Sequence, residues 1–233
     1  MPHLLDNPIY RALNSGDKDK NIGNDAVSFF PLEIAPFIGL PVWDHDGQHQ
    51  LIAQAPRDRN WFVIHSGQVK LVPELEIKFS IPLYQMVCSN LPPWPSSLDD
   101  PLPLTSGHIE EMIALTSLTK PGPFNSRTIE FGNYHGYFEE GRLAAMGGER
   151  LHLEGYTEIS AICTHPDFRG KGYGARLVHF LSHQIRNDRL TPFLHVRIDN
   201  KAAIAIYERM GFVKRKRMFF AIVSVRQGTA GSA

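Results

Sequence analysis

The sequence predicts an α/β fold, a mixed central sheet with flanking helices, preceded by a smaller amino-terminal α+β unit. Three observations carry this. Residues 158–163 (EISAIC) alternate as a strand does, then pass through His165-Pro166-Asp167 into a basic, glycine-rich turn at 169–174. Leu177, Val178, Leu181 and Ile185 follow at helical spacing. The strand–helix order then returns in 191–198 (TPFLHVRI) and 201–210 (KAAIAIYERM), and 219–225 (FFAIVSV) reads as a closing strand.

The remaining elements follow in order. Residues 106–118 predict a helix. Residues 134–138 and 142–153 predict two strands joined by the turn Glu139-Glu140-Gly141. Asp199-Asn200 predicts a helix cap, and Gly211 stands where a helix end takes a left-handed residue. The first hundred residues are less patterned. Segments 29–32, 51–55, 61–65 and 68–72 read as short strands, with turns at Asp46-Gly47 and Ser66-Gly67. Residues 91–104 (LPPWPSSLDDPLPL) are too rich in proline for a regular element and read as a linker. The division expected is an amino-terminal unit at 1–104 and a second domain at 105–233.

A strand, a glycine loop and a helix start together make a phosphate grip. The first N–H groups of a helix lack internal partners, and the helix dipole favours an anion there. The glycines read Gly170, Gly172 and Gly174, which is not G-x-G-x-x-G; Lys171 precedes Gly172 rather than Ser or Thr, which is not a P-loop. The pattern Arg169…Gly172…Gly174 resembles the pyrophosphate-binding motif of the GNAT superfamily of N-acetyltransferases. The stretch Asn200…Ala203…Tyr207-Glu208…Gly211-Phe212 resembles that family's last helix. The resemblance covers about residues 105–225.

What the resemblance implies is specific. Acetyl-CoA would be the cosubstrate, held by Ile162, Cys163, Thr164, Arg169, Gly170, Lys171, Gly172, Tyr173, Gly174, Ala175, Asn200, Ala203 and Tyr207. Tyr207 would protonate the leaving thiolate. A bulge within 161–164 would offer a backbone donor to the developing oxyanion. Glu158 is the candidate general base, on the expectation that a partly buried carboxylate has a raised pKa; a solvent-facing strand glutamate paired with a neighbour is the other reading. The acceptor would be a small-molecule or peptide amine, recognised through residues 106–123 and part of the amino-terminal half. A coenzyme-binding module without turnover is the alternative function. For the amino-terminal half the resemblance allows a degenerate copy of the fold, and its role, shaping the pocket or forming a homodimer, stays open.

Composition sets bounds. The 24 Lys and Arg balance the 24 Asp and Glu, so no global charge points to nucleic acid. Residues 158–217 hold twelve Lys and Arg against five Asp and Glu, a field suited to an anionic ligand. Lys214-Arg215-Lys216-Arg217 reads as a solvated face. Two cysteines, Cys88 and Cys163, and the absence of a signal-peptide pattern or long apolar run predict a cytoplasmic protein without a membrane span. His179 and His183 share a helix face, but no third ligand is evident, so no metal is expected and a solvated face is the reading. His195 points either to the pocket or to the core.

Overall fold

The computed structural model describes residues 3–57, 59–67, 70–93 and 99–226. Its amino-terminal elements are helix α1 (Pro8–Leu13), strands β1 (Ser28–Phe29) and β2 (Ile38–Gly39), helix α2 (His45–Gln54), and strands β3 (Trp61–His65) and β4 (Leu75–Cys88). After them come β5 (Leu102–Pro103), α3 (Ile109–Thr119), β6 (His135–Glu139), β7 (Arg142–Leu153), β8 (Tyr156–Thr164), α4 (Tyr173–Asn187), β9 (Thr191–Arg197), α5 (Lys201–Arg209) and β10 (Phe212–Val225). The carboxy-terminal order is the one the sequence predicts.

Eight strands form one sheet in the order β3-β10-β4-β9-β8-β7-β6-β5. Every neighbouring pair is antiparallel except β8 and β9, which run parallel. Alternation along β9 sends Phe193 to one face and Leu194 and Val196 to the other. On the first face, Leu5, Ile9 and Leu13 of the amino-terminal segment pack with Met112 and Leu115 of α3. On the second, Val178, Leu181 and Ile185 of α4 and Ile204 of α5 pack with Ile159, Leu194 and Phe212. Each such buried side chain contributes about 1.5–3 kcal/mol.

The amino-terminal half departs from its expected form. Residues 51–55 lie in or just after α2, because Asp44 caps that helix by accepting from the Gly47 N–H at 2.9 Å. Residues 70–72 form no strand, and 68–69 lie outside the described residues. Leu102–Pro103, expected in a linker, pairs with β6, while 94–98 lie outside the described residues. The fourteen-residue strand β4 has no counterpart among the expected elements. Its interior Pro82 argues against a central strand, yet Pro82 stands one residue past the last β4–β9 pair, Leu83↔Arg197, at the end of that ladder. The expected boundary at residue 104 cuts across this sheet, since β4 lies between β9 and β10.

A buried charge cluster ties the amino-terminal segment to β7. Asp17 is fully buried and accepts from the His152 backbone N–H at 2.9 Å and from His152 Nδ1 at 2.8 Å; His152 Nε2 lies 3.1 Å from Glu149. Burial would lower the pKa of His152, but the two carboxylates outweigh it and raise it to about 9. A group raised in the folded state stabilises fully below its unfolded value, 6.5 here, and that contribution is lost as pH rises through about 9. Urea unfolding should therefore show wild type losing stability between roughly pH 7 and pH 10, with a flatter profile for His152→Gln. Parallel profiles would remove this cluster from the pH response.

Candidate active site

Strands β8 and β9 pair at only three positions, Tyr156↔Thr191, Thr157↔Pro192 and Glu158↔Phe193, and then part. The cause lies within β8. Its register with β7 passes from Met146↔Cys163 to Gly148↔Ser160, so β8 carries one extra residue. Ala161 absorbs it with φ 55, a left-handed conformation that costs a non-glycine residue about 1–3 kcal/mol. Gly147 opposite leaves room for the bulge, because a Cβ there would fall 2.2 Å from Ile162 Cδ1. Between the parted strands opens a cleft of about 750 Å³. Ile162, Cys163, Thr164, Arg169, Asn200, Ala203 and Tyr207 line it, and Thr119 to Pro123 close it from the end of α3.

At the end of β8 the chain turns through Gly170 (φ 83) and Gly172 (φ 81) into α4. No side chain caps α4 at Gly172, so its first N–H groups are left for a ligand. A Cβ at Gly170 or Gly172 would meet nothing within 4 Å, so the space over the turn is open. Gly170, Lys171, Gly172, Tyr173, Gly174 and Ala175 thus form the turn and first helical turn rather than the cleft wall. Lys171 Nζ lies 2.7 Å from Glu139 and the Tyr173 hydroxyl donates to the same carboxylate, fastening the β6–β7 hairpin to the turn. This open, uncapped cradle fits a pyrophosphate, with Arg169 beside it.

Glu158 departs from its expected state. It is fully buried and does not line the cleft. Arg150 donates to it through Nε at 2.8 Å and Nη2 at 2.6 Å, and His195 Nδ1 lies 2.7 Å from its Oε1. Burial alone would raise its pKa, but the Arg150 charge and the hydrogen bonds from Arg150 and His195 lower it to about 2. The expectation of a raised pKa is therefore corrected: Glu158 is a locked counter-ion. His195 faces Gln85 on its other side, with Nε2 3.0 Å from Gln85 Nε2. The Gln85 oxygen accepts from Arg215 Nε and its nitrogen donates to the Leu5 carbonyl at 2.8 Å. That nitrogen must also donate to His195, so His195 Nε2 accepts and Nδ1 carries the proton toward Glu158.

Tyr207 lines the cleft from α5. Burial raises its hydroxyl to about 12, and its ring packs 6.1 Å from that of Phe212. Asn200 caps α5 by accepting from the Ala203 N–H at 3.2 Å. Gly211 ends that helix region at φ 80, where a Cβ would lie 1.7 Å from the Asn90 carbonyl oxygen. Burial raises the Cys163 thiol to about 11, which suits a wall rather than a nucleophile. His179 and His183 do not form a solvated face: both Nε2 atoms approach the Pro92 carbonyl, at 2.8 and 2.9 Å. No group of three or more potential metal ligands exists among the described residues. Within 214–217, Lys214 and Arg217 are exposed as a solvated face would have them, Lys214 pairing with Glu208 and Arg217 lying over the Phe219 ring, while the half-buried Arg215 and Lys216 pair with Asp6.

Comparison with known proteins bears on this geometry. Residues 134–221 match the FR47-like protein family. A crystal structure of a GNAT-family protein from Novosphingobium aromaticivorans DSM 12444 aligns over 97% of this chain and 100% of its own, with a TM-score of 0.87 and 28% identity. The chain carries a GNAT acetyltransferase domain. A GCN5-related N-acetyltransferase from Kribbella flavida shares the fold, with a TM-score of 0.61 over 95% of this chain and 97% of its own at 13% identity. Mycothiol acetyltransferase of Streptomyces coelicolor is 36% identical over 76 residues, 32% of this chain and 25% of the relative. N-alpha-acetyltransferase 30 of Saccharomyces cerevisiae is 31% identical over 70 residues, 30% of this chain and 39% of the relative. The chain thus spans well under half the length of these two curated relatives.

Sequence reasoning missed two parts of the cleft around the GNAT domain. Arg150 was readable in principle: Arg150 and Glu158 are each four residues from Glu154 at the β7–β8 turn, which places them across from one another. The apolar wall of Ile64, Phe79, Ile81 and Phe220 had no local signal, because it comes from three strands distant in sequence. Removing the Glu158 charge should act first on stability, since a buried charge left without its partner costs about 3–5 kcal/mol. Glu158→Gln should lower the urea midpoint strongly at neutral pH. An unchanged midpoint would return Glu158 to service as a free base.

Proposed function

We propose that this protein transfers an acetyl group from acetyl-CoA directly to a primary amine. The observation that carries the reading is the parting of β8 from β9 at the Ala161 bulge, leading straight into an uncapped glycine turn at the start of α4. A strand opening of this kind seats an extended pantetheine arm, and the helix start takes the pyrophosphate. Asn200, Ala203 and Tyr207 flank the arm from α5. Both named relatives are acetyltransferases, which supports the same group transfer here.

The chemistry balances with few protein groups. The neutral amine nitrogen forms a bond to the thioester carbonyl carbon, and the carbonyl electron pair moves to oxygen. Backbone donors at the bulge stabilise that charge. The C–S bond then breaks, and Tyr207 gives its proton to the departing thiolate, regaining one that the amine nitrogen loses through water. The net products are the N-acetylated amine, CoA thiol and one proton released from the original ammonium. Glu158 acts by holding Arg150 and His195 in place. Among the described residues no carboxylate lines the cleft, and His195, which does, has Nε2 accepting from Gln85 and Nδ1 held by Glu158, so the amine proton leaves to water.

Two variants test this. Tyr207→Phe keeps the ring and removes the proton, so turnover should fall by about 10²–10⁴ while acetyl-CoA affinity is nearly kept. Because Tyr207 stays protonated up to about 12, no basic limb should appear in the wild-type rate below pH 10. Unchanged turnover with chemistry limiting the rate would reduce Tyr207 to packing. Gly172→Asp places a charge and a strained left-handed side chain at the grip, and should abolish the thermal shift that acetyl-CoA gives wild type. Equal shifts would refute the coenzyme assignment, and binding without turnover of any amine would favour a coenzyme-sensing module.

A further inference from the structure

The acceptor end of the cleft has a chemistry of its own. Arg150 uses Nε and Nη2 to hold Glu158, and among the described residues its Nη1 donates to nothing, although Arg150 lines the cleft. It lies at the root of the strand opening, beside Glu158, the last β8 residue paired with β9; the coenzyme grip stands beyond the far end of β8. Its guanidinium rests 4.9 Å over the Phe37 ring, which with the Glu158 pair fixes its plane. Four cations line the cleft, Lys120, Arg150, Arg169 and Arg197, and no described carboxylate does. Arg197 is already paired with Asp199 at 2.6 Å, and Arg169 stands at the phosphate turn. Arg150 and Lys120 are left facing the acceptor.

Opposite them stands the apolar wall of Ile64, Phe79, Ile81 and Phe220, with Phe79 47% exposed. A cleft of about 750 Å³ that also receives the acetyl end of the coenzyme has room for a compact acceptor. His195 also lines the cleft, but its Nε2 accepts from Gln85 and its Nδ1 is held by Glu158. A free amino acid's own carboxylate favours its ammonium form, and a cation that takes up that carboxylate removes this effect, so a contact with Arg150 would ease loss of the amine proton. Cations nearby depress an amine's pKa further, and they repel a polycation.

We infer that the acceptor is a free apolar α-amino acid, its carboxylate held by Arg150, its side chain against the Phe79–Phe220 wall and its α-amine presented to the thioester. This rests on the acetyltransferase reading above. The ammonium form of the amino acid and acetyl-CoA yield the N-acetylamino acid, CoA thiol and a proton.

The test uses the full chain with acetyl-CoA and matched acceptors: L-leucine, L-leucinamide, 3-methylbutylamine and spermidine, scored by release of CoA thiol. L-Leucine should exceed the three acceptors without a carboxylate by about 10-fold or more in kcat/KM, the range of a charge-assisted contact. Calorimetry on the CoA-bound protein should show L-leucine binding and 3-methylbutylamine not. Arg150→Lys retains a cation for Glu158 and should raise the leucine KM about 10-fold while the acetyl-CoA thermal shift holds. Lys120→Glu, at the exposed C-cap of α3, should also raise that KM several-fold. Better turnover of spermidine or 3-methylbutylamine than of leucine, or a leucine KM unmoved in both variants, would overturn the acceptor assignment and leave the acetyltransferase reading standing. No acetyl-CoA binding at all would overturn both.

Discussion

The carboxylate of Glu158 is the charge on which the rest of the sheet is hung. It sits without solvent where β8 and β9 stop pairing, and it is stable there only because Arg150 of β7 and His195 of β9 both donate to it. His195 passes the constraint to Gln85 of β4, Gln85 to Arg215 of β10, and Arg215 to Asp6 before α1. Five strands and the amino-terminal segment are thus joined by one row of polar contacts through an apolar interior. Such a network is satisfied as a whole or not at all, because each member left alone is a buried polar group without a partner. A one-residue slip of any strand would turn its member to the wrong face. The row therefore specifies register more than it adds stability.

Next to this rigid root, the cleft begins at a strained residue. Ala161 takes a left-handed conformation that glycine would take more readily, and Gly147 and the paired root on either side hold it there. The division of labour along β8 follows. Its first residues lock the strand, its middle opens it, and its end delivers the chain to the glycine turn. The two ends of the cleft also differ in kind: an uncapped glycine turn beyond the end of β8, and Arg150 held against Glu158 at its root.

The carboxy-terminal half was legible because its signals are local. Residues 142–153 were expected as a strand and are a strand with those limits, and the cap at Asn200 forms as its position suggests. The glycine turn between β8 and α4 was legible for the same reason. What could not be read depends on distant partners. Strand β4 exists because β10 and β9 flank it, and its own polar run of Glu76, Lys78 and Ser80 with Pro82 shows little of this. The state of Glu158 was misjudged because burial was foreseen without Arg150, and the sign of a pKa shift turns on which of the two dominates. The bulge fell within the expected window, but its seat at Ala161 depends on the space left by Gly147 across the ladder.

The position of β4 has a consequence for how the molecule is made. Residues 61–88 meet their neighbours in β10 only at 212–225, so the longest ladder in the sheet closes over more than a hundred intervening residues. Contacts of such separation form slowly, since loop closure precedes any gain from them. On the ribosome, β3 and β4 emerge early with unpaired edges and wait through the synthesis of the glycine turn and α4 for the strand that covers them. Phe220, part of the apolar wall of the cleft, arrives with that strand. The half-made chain would thus possess the glycine turn but not the closed cleft, and the interval between the two is when chaperones would find it.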